Sequence, residues 1–366
     1  MKKLLILSVG YGQGHHAAAA ALAEEFSSRG WLVRVADPCA EAHPHVFSWT
    51  QRFYDFCVRR APWLWGITYA QTDTADWRKA VHWPLLKGVK EHIRLLLRAE
   101  EADAVLCTYP LYAYMLDSLH RQGLFHGRYA VIVTDALEIS RPWMQSEAPL
   151  MCVPDEHSRE KMCAVFGLSP QQVIAGGFPV KRAFSSDLRR QTPSATNLHI
   201  LFGAFRPSAE VVRTVRAILQ AYPAAKLTVL ASSHSEAVKR RLQGAISRGQ
   251  VELLPATPHM DQLMAQSHVY IGKAGAATMF ECYAAALPMI INFALPGQEQ
   301  GNLELLLRDG AGEYAESPEA VVEVLHNMLA HGAAEWRSKR AAMVAAHRHR
   351  GGAARIADEV ERRLLS

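Results

Sequence analysis

The histidines His15 and His16 follow a run of glycines in "SVGYGQGHHAAAAALAEEF", residues 8–26. Imidazole is the side chain whose ordinary pKa suits general base work near neutrality. Gly10, Gly12 and Gly14 let the backbone approach a ligand closely. The Ala-rich segment behind them reads as a helix, and the first N–H groups of a helix can hold an anion. A second group of candidate side chains lies in "YIGKAGAATMFECYAAALPMIINFALPGQEQGN", residues 270–302. Lys273 is followed by Gly275, Ala276 and Ala277, which leave room for a phosphate against a helix expected to begin near Thr278. Glu281 could accept from two adjacent ribose hydroxyls, although Thr278 to Glu281 also fits the T-x-x-E capping box. Gln298, Glu299 and Asn302 stand after the next apolar run, either as a polar first helical turn or as ligand contacts at a sheet's C-terminal edge.

The first loop resembles a dinucleotide fingerprint only in part. G-x-G-x-x-G would place its third glycine where His15 stands, and Asp37 lends little support as a ribose acid. The plain alternative is a tight strand-to-helix turn with an exposed His15.

These loops need strands and helices to carry them. Apolar runs at 3–9, 31–36, 104–108, 129–134 and 149–153 read as strands in the first half. Runs at 198–203, 226–231, 250–254, 268–272 and 288–293 do so in the second. Helical patterns between them imply an α/β protein with parallel sheets covered on both faces. The chain has 366 residues, more than one core usually spans, so two doubly wound domains with a cleft between them are expected. The polar stretch "SSDLRRQTPSATN", residues 185–197, reads as the linker, giving domains 1–190 and 191–366. The last helix is a candidate to pack back on the first domain.

Residues 49–98 interrupt the alternation with Trp49, Trp63, Trp65, Trp77 and Trp83 and nine Lys/Arg against four acids. Such a mixture suits an anionic bilayer interface, with Trp63 and Trp65 as candidate contacts. It also suits an inserted helical hairpin whose aromatic residues are core. A hydrophobic content of 49% and a mean hydropathy of −0.05 fit a globular chain. The charge of +5 is too small, without a nucleic-acid motif, to imply DNA or RNA. Six scattered cysteines with no C-x-x-C pair suggest reduced thiols in the cytoplasm. The N-terminal apolar run is short for a signal peptide and far too short to span a bilayer.

The two quoted loops resemble the monogalactosyldiacylglycerol synthase and processive diacylglycerol glucosyltransferase group. These are GT-B glycosyltransferases related to the peptidoglycan enzyme that adds N-acetylglucosamine to a lipid-linked precursor. "VTDALEISRPW" (133–143), "VPDEHSREKM" (153–162), "GGFPVKRAF" (176–184) and "HMDQLMAQSHVYIGKAG" (259–275) extend the resemblance through both halves. It implies inverting transfer of a hexose from a UDP-sugar to a membrane lipid hydroxyl, diacylglycerol first among them, by a protein held peripherally at the inner face of the cell membrane. His15 then follows the family's glycine loop, Asp135 is the acid of its T-D motif, and Trp143 is the tryptophan beyond it. Glu281 matches the nucleotide-ribose acid, and Gln298 and Glu299 match the donor-sugar contacts.

Three departures stand out. Ser140 replaces a histidine of the galactolipid synthases, Ala276-Ala277 replaces a frequent Pro-Gly, and the second domain's glycine loop shrinks to "LFGAFRP" with Gly203 alone. An inverting displacement needs a base for the acceptor and stabilisation for departing UDP. No D-x-D pair is present, so no metal or cofactor is expected, and helix-start N–H groups with Lys273 would serve the diphosphate. His15 is taken as base with Asp135 as partner, and the reverse assignment stays open. A polyprenyl-linked acceptor, or a nucleotide-sugar-binding protein without activity, are the other readings.

Overall fold

The computed structural model describes residues 1–10, 14–74, 76–137, 139–144, 146–185, 190–231, 235–255, 257–297, 299–346 and 352–365. They form two compact units, one of residues 1–181, 296–301 and 348–366, the other of 182–295 and 302–347. The division at Lys181/Arg182 comes ahead of the polar stretch read as a linker. Arg190 of that stretch is bonded into the second unit, donating to the carbonyls of Ser267 at 2.9 Å, Met264 at 2.7 Å and Ala285.

The first unit is built on a parallel sheet of β1 (Lys3–Leu7), β2 (Leu32–Ala36), β3 (Ala104–Cys107), β4 (Arg128–Ile132), β5 (Leu150–Val153) and β6 (Val173–Ala175). The strands lie in the order β2-β1-β3-β4-β5-β6. Strands covered on both faces read as unbroken apolar runs, which is why "LLIL" signalled β1. Leu4 and Ile6 point to one core, Leu5 and Leu7 to the other. The first of these cores is closed by α1 (Gly14–Ser28), whose Ala18, Ala19, Ala21, Leu22 and Phe26 are buried. The chain's last helix packs beside α1 through Ile356, Ala357 and Val360. Arg29 ties the two helices by reaching Glu25 at 2.9 Å, Asp358 at 2.7 Å and Glu361 at 3.0 Å.

On the opposite face run α2 (Pro38–Ala42), α3 (Pro44–Arg60), α4 (Pro62–Thr74), α5 (Trp77–Ala80), α6 (Pro84–Glu100) and α7 (Pro110–Arg121), with α8 (Glu156–Phe166) preceding β6. The aromatic, basic segment is thus several helices rather than one hairpin. Its tryptophans divide: Trp49, Trp63 and Trp83 are about two-thirds exposed, at 66%, 66% and 65%. Trp65 is half-buried, edge-on to Tyr54 with centroids 4.7 Å apart, and Trp77 packs against the core.

The second unit has its own parallel sheet of β7 (His199–Gly203), β8 (Lys226–Leu230), β9 (Val251–Leu254), β10 (Val269–Lys273), β11 (Met289–Phe293) and β12 (Gly312–Tyr314), in the order β12-β11-β10-β7-β8-β9. Its helices are α9 (Ser208–Ala221), α10 (Ser235–Ser247), α11 (Met260–Gln266), α12 (Ala276–Ala285), α13 (Gln300–Arg308) and α14 (Pro318–Ala345). The final helix, α15 (Gly352–Leu364), is the one that closes the first unit. Both sheets reverse their strand order next to their first strand, at β1/β3 and β10/β7, where doubly wound sheets open a crevice at the strands' C-terminal ends.

Candidate functional site

In the first unit, three strand ends meet at that crevice. Ser8 and Gly10 follow β1, Thr108 and Tyr109 follow β3, and Thr134 and Asp135 follow β4. His15 stands in the first turn of α1, half-buried, with Nδ1 3.0 Å from the Thr134 hydroxyl. Its ring lies edge-on to Tyr109, centroids 5.3 Å apart, and 6.2 Å from the ring of Trp143. Burial disfavours the imidazolium and lowers the His15 pKa to about 4, with partial compensation from the Thr108 backbone. The hydroxyl of Thr108 is itself buried and has no hydrogen-bond partner among the described residues.

Asp135 is held from the side. Trp143 donates from Nε1 to its Oδ2 at 2.6 Å, and the indole is fully buried in the 3₁₀ turn Arg141–Met144. The Tyr114 hydroxyl holds that turn by donating to the Pro142 carbonyl, and the Trp143 N–H donates to the Ser140 carbonyl at 3.1 Å. Ser140 therefore helps shape the turn through its backbone, while its side chain is half-buried. Burial raises Asp135 to about 6 and the indole N–H opposes the rise. No hydrogen bond between His15 and Asp135 is present, so each owes its protonation to different neighbours. The loop beyond Asp135 passes through Leu137 in the left-handed region, with φ 52°. Ser158 Oγ accepts from the Leu137 N–H at 3.1 Å and Lys161 donates to its carbonyl at 3.2 Å. Asp155 caps α8 and accepts from Ser158 Oγ at 2.7 Å. The residues of "VPDEHSREKM" thus brace the loop of "VTDALEISRPW".

Gly14 opens α1, and among the described residues, its chain neighbours and the helix backbone aside, no atom lies within 4 Å of where a Cβ would stand. Gly12 lies outside the described residues. Asp37 is no ribose acid: its Oδ2 accepts from the Gly10 N–H at 2.9 Å and its Oδ1 from the Ala40 N–H at 3.0 Å, capping α2. Sequence reasoning passed over Thr134, Thr108 and Tyr109, although Thr134 is the first letter of the T-D motif itself.

In the second unit, α12 starts at Ala276 with Gly275 as N-cap and no side-chain cap. Thr278 is therefore inside the helix, and the capping-box explanation of Glu281 does not hold. The uncapped helix start leaves N–H groups for an anion. The Ala277 methyl is turned into the core, so only its backbone could meet a ligand, whereas Gly275, Ala276, Thr278 and Glu281 are half-buried. Lys273 ends β10, its ammonium 5.0 Å from the centre of the Phe205 ring. Asn302 is buried and donates to the Ala274 carbonyl at 2.9 Å, bracing the turn between β10 and α12. Glu299, in the 296–301 stretch that belongs to the first unit, is buried ahead of α13, and Gln298 lies outside the described residues. Gly203 has a packing reason: a Cβ there would stand 2.7 Å from the Tyr270 hydroxyl.

Residues 15–180 match the family model for monogalactosyldiacylglycerol (MGDG) synthase, and residues 205–359 match the glycosyltransferase family 28 C-terminal domain. The chloroplastic monogalactosyldiacylglycerol synthase of Spinacia oleracea is 25% identical over 349 residues, covering 88% of this chain and 65% of that protein. The processive diacylglycerol beta-glucosyltransferase of Staphylococcus aureus is 24% identical over 340 residues, covering 89% of this chain and 84% of the relative. This chain thus spans less than two thirds of the length of the plant synthase. The crystal structure of Acinetobacter baumannii MurG has the same fold, with a TM-score of 0.63 over 99% of this chain and 100% of that one at 12% identity. Two Rossmann-like units, matched in turn by the monogalactosyldiacylglycerol synthase model and the glycosyltransferase family 28 C-terminal model, give the chain the GT-B fold and make it similar along both halves to the monogalactosyldiacylglycerol synthases and processive diacylglycerol glucosyltransferases.

Proposed function

We propose that this chain transfers a hexose from a UDP-sugar to the free hydroxyl of diacylglycerol, with inversion at the anomeric carbon. In one displacement the acceptor oxygen bonds to C1 as the bond from C1 to the diphosphate breaks, and a base takes the acceptor proton. The observation that carries the reading is the pair of half-buried groups at the β1/β3/β4 strand ends, His15 and Asp135. Their environments favour the second of the two sequence-level assignments. Asp135, raised to about 6, is the stronger base, and His15, lowered to about 4, stays neutral at working pH. His15 then orients the acceptor hydroxyl with Thr134.

For the donor, Glu281 is the proposed ribose acceptor and Glu299 and Gln298 the proposed sugar contacts. The start of α12 and Lys273 would stabilise the departing diphosphate without a metal ion. The exposed Trp49, Phe53, Phe56, Trp63 and Ile67 on α3 and α4 are the proposed contact with an anionic bilayer, from the cytoplasmic side. Among the described residues no helix is long and apolar enough to cross a membrane, and a peripheral surface would bring the site to its lipid.

The test is turnover of UDP-glucose and UDP-galactose by purified protein with vesicles containing diacylglycerol. UDP release should accompany a glycosylated diacylglycerol of inverted configuration. UDP binding with no transfer to diacylglycerol, or transfer only to a polyprenyl-linked sugar, would overturn the assignment.

A further inference from the structure

We propose that Gln51 is a positioning residue that ties the seating of α3 to the start of α1, an inference that rests on the lipid-acceptor function above. Gly10 leaves the end of the β1 run, and side chains from two other elements take both of its backbone polar groups. Its N–H donates to Asp37 Oδ2 at 2.9 Å, and its carbonyl accepts from Gln51 Nε2 at 2.8 Å. The fit is tight. A Cβ at position 10 would stand 2.7 Å from Gln51 Nε2 and 3.3 Å from both His16 Nε2 and the Phe47 ring. His16 in turn pairs through Nδ1 with Ser8 Oγ at 3.2 Å, and its neighbour His15 meets Thr134. Gln51 and the buried Phe47 therefore grip the approach to the histidines from one side of α3. The other side of that helix exposes Trp49, Phe53 and Phe56, with Trp49 stacked on Phe53 at 5.9 Å.

A helix shifts as a unit, so pressing the aromatic side into a lipid surface moves Gln51 with it. The Gly10 carbonyl keeps or loses its donor accordingly, and the helix start that carries His15 and His16 is set or released. Coupling of this kind runs through one packed contact with two arrangements, bonded and unbonded.

Gln51→Glu tests the link because it keeps the side-chain size but presents an acceptor to an acceptor when ionised. At pH 7.5 its kcat on vesicle-borne diacylglycerol should fall at least fivefold, with the KM for the UDP-sugar and vesicle co-sedimentation within twofold of wild type. As pH falls toward about 4 a growing fraction of the carboxyl is protonated and can donate, so the deficit should shrink. Gln51→Lys, which donates at every pH, should keep most of the rate and show no such trend. Hydrogen exchange supplies a readout without turnover: anionic vesicles should slow exchange in the peptide covering residues 5–18 of the wild type, but not in Gln51→Glu. A wild-type kcat in Gln51→Glu, a deficit that ignores pH, or equal vesicle protection in both proteins would overturn the proposal. If wild-type protein glycosylates no acceptor, the function above fails, and the exchange comparison still decides the role of Gln51.

Discussion

Replacing Trp143 by phenylalanine removes one hydrogen bond from the proposed base and should move the enzyme's pH profile. Trp143 donates to Asp135 Oδ2 at 2.6 Å, the one contact that opposes the rise of its pKa to about 6. A hydrogen bond to a charged group is worth roughly 1.5–3 kcal/mol. At 1.36 kcal/mol per pKa unit, its loss should raise Asp135 by about one to two units. The ionised fraction at pH 7 would then drop from about nine-tenths to between about a half and a tenth. The assay is kcat/KM against pH from about 3 to 9, whose acid limb reports the base of the free enzyme. Wild type should lose activity below about 6 and Trp143→Phe below about 7 to 8. The indole is buried, so the variant will also melt earlier; the measurement is therefore the position of the limb, not its height. A limb that stays in place would refute the role of Asp135. A wild-type limb near 4 would assign the base to His15 instead, since burial holds that imidazole at about 4.

Asp135→Asn should abolish transfer yet raise the melting temperature at pH 7.5. The folded pKa lies above the ordinary value of 3.8, so ionisation costs stability fully above about 6 and not at all below about 4. Melts of both proteins check this: the variant should melt above wild type at pH 7.5 and together with it at pH 3.5, and a variant that melts below wild type at pH 7.5 would contradict it. Glu281→Ala should weaken UDP binding by about 1–3 kcal/mol, roughly 5- to 150-fold, read by calorimetry. Unchanged affinity removes Glu281 from the ribose. EDTA should leave the transfer rate within twofold, and a loss restored by magnesium or manganese would overturn metal-independent departure of UDP. Trp63→Ala should reduce co-sedimentation with anionic vesicles at constant melting temperature, because the side chain is 66% exposed. Trp65→Ala should also lower stability, since that ring packs on Tyr54.

The alternation of buried strands and helices was legible because parallel strands covered on both faces must be apolar throughout. "LLIL", "AVLC" and "MIINF" could hardly be anything else at that length. Val173–Ala175 and Gly312–Tyr314 escaped notice because three residues carry no period and both lie at a sheet edge. The glycine motif and the run from Lys273 to Asn302 were likewise visible as residue types at fixed spacing, whereas the T-D acid Asp135 was marked by the family resemblance alone. What those residues do depends on partners far away in the chain. Asp37 could be read as a ribose acid until its carboxylate proved to hold Gly10 and Ala40. Thr278 and Glu281 fit a capping box until the helix was found to start at Ala276 with Gly275 as its cap, three residues earlier than a Thr278 cap would require. Intrinsic pKa values rank His15 above Asp135 as a base. Burial inverts that order, because a half-enclosed site disfavours whichever form is charged, lowering a histidine and raising an aspartate. Local sequence therefore determined the elements, whose periodicity is a short-range property. Only the tertiary structure decided the protonation and partners of the side chains, because solvation and hydrogen bonding are set by groups the chain brings together from a distance.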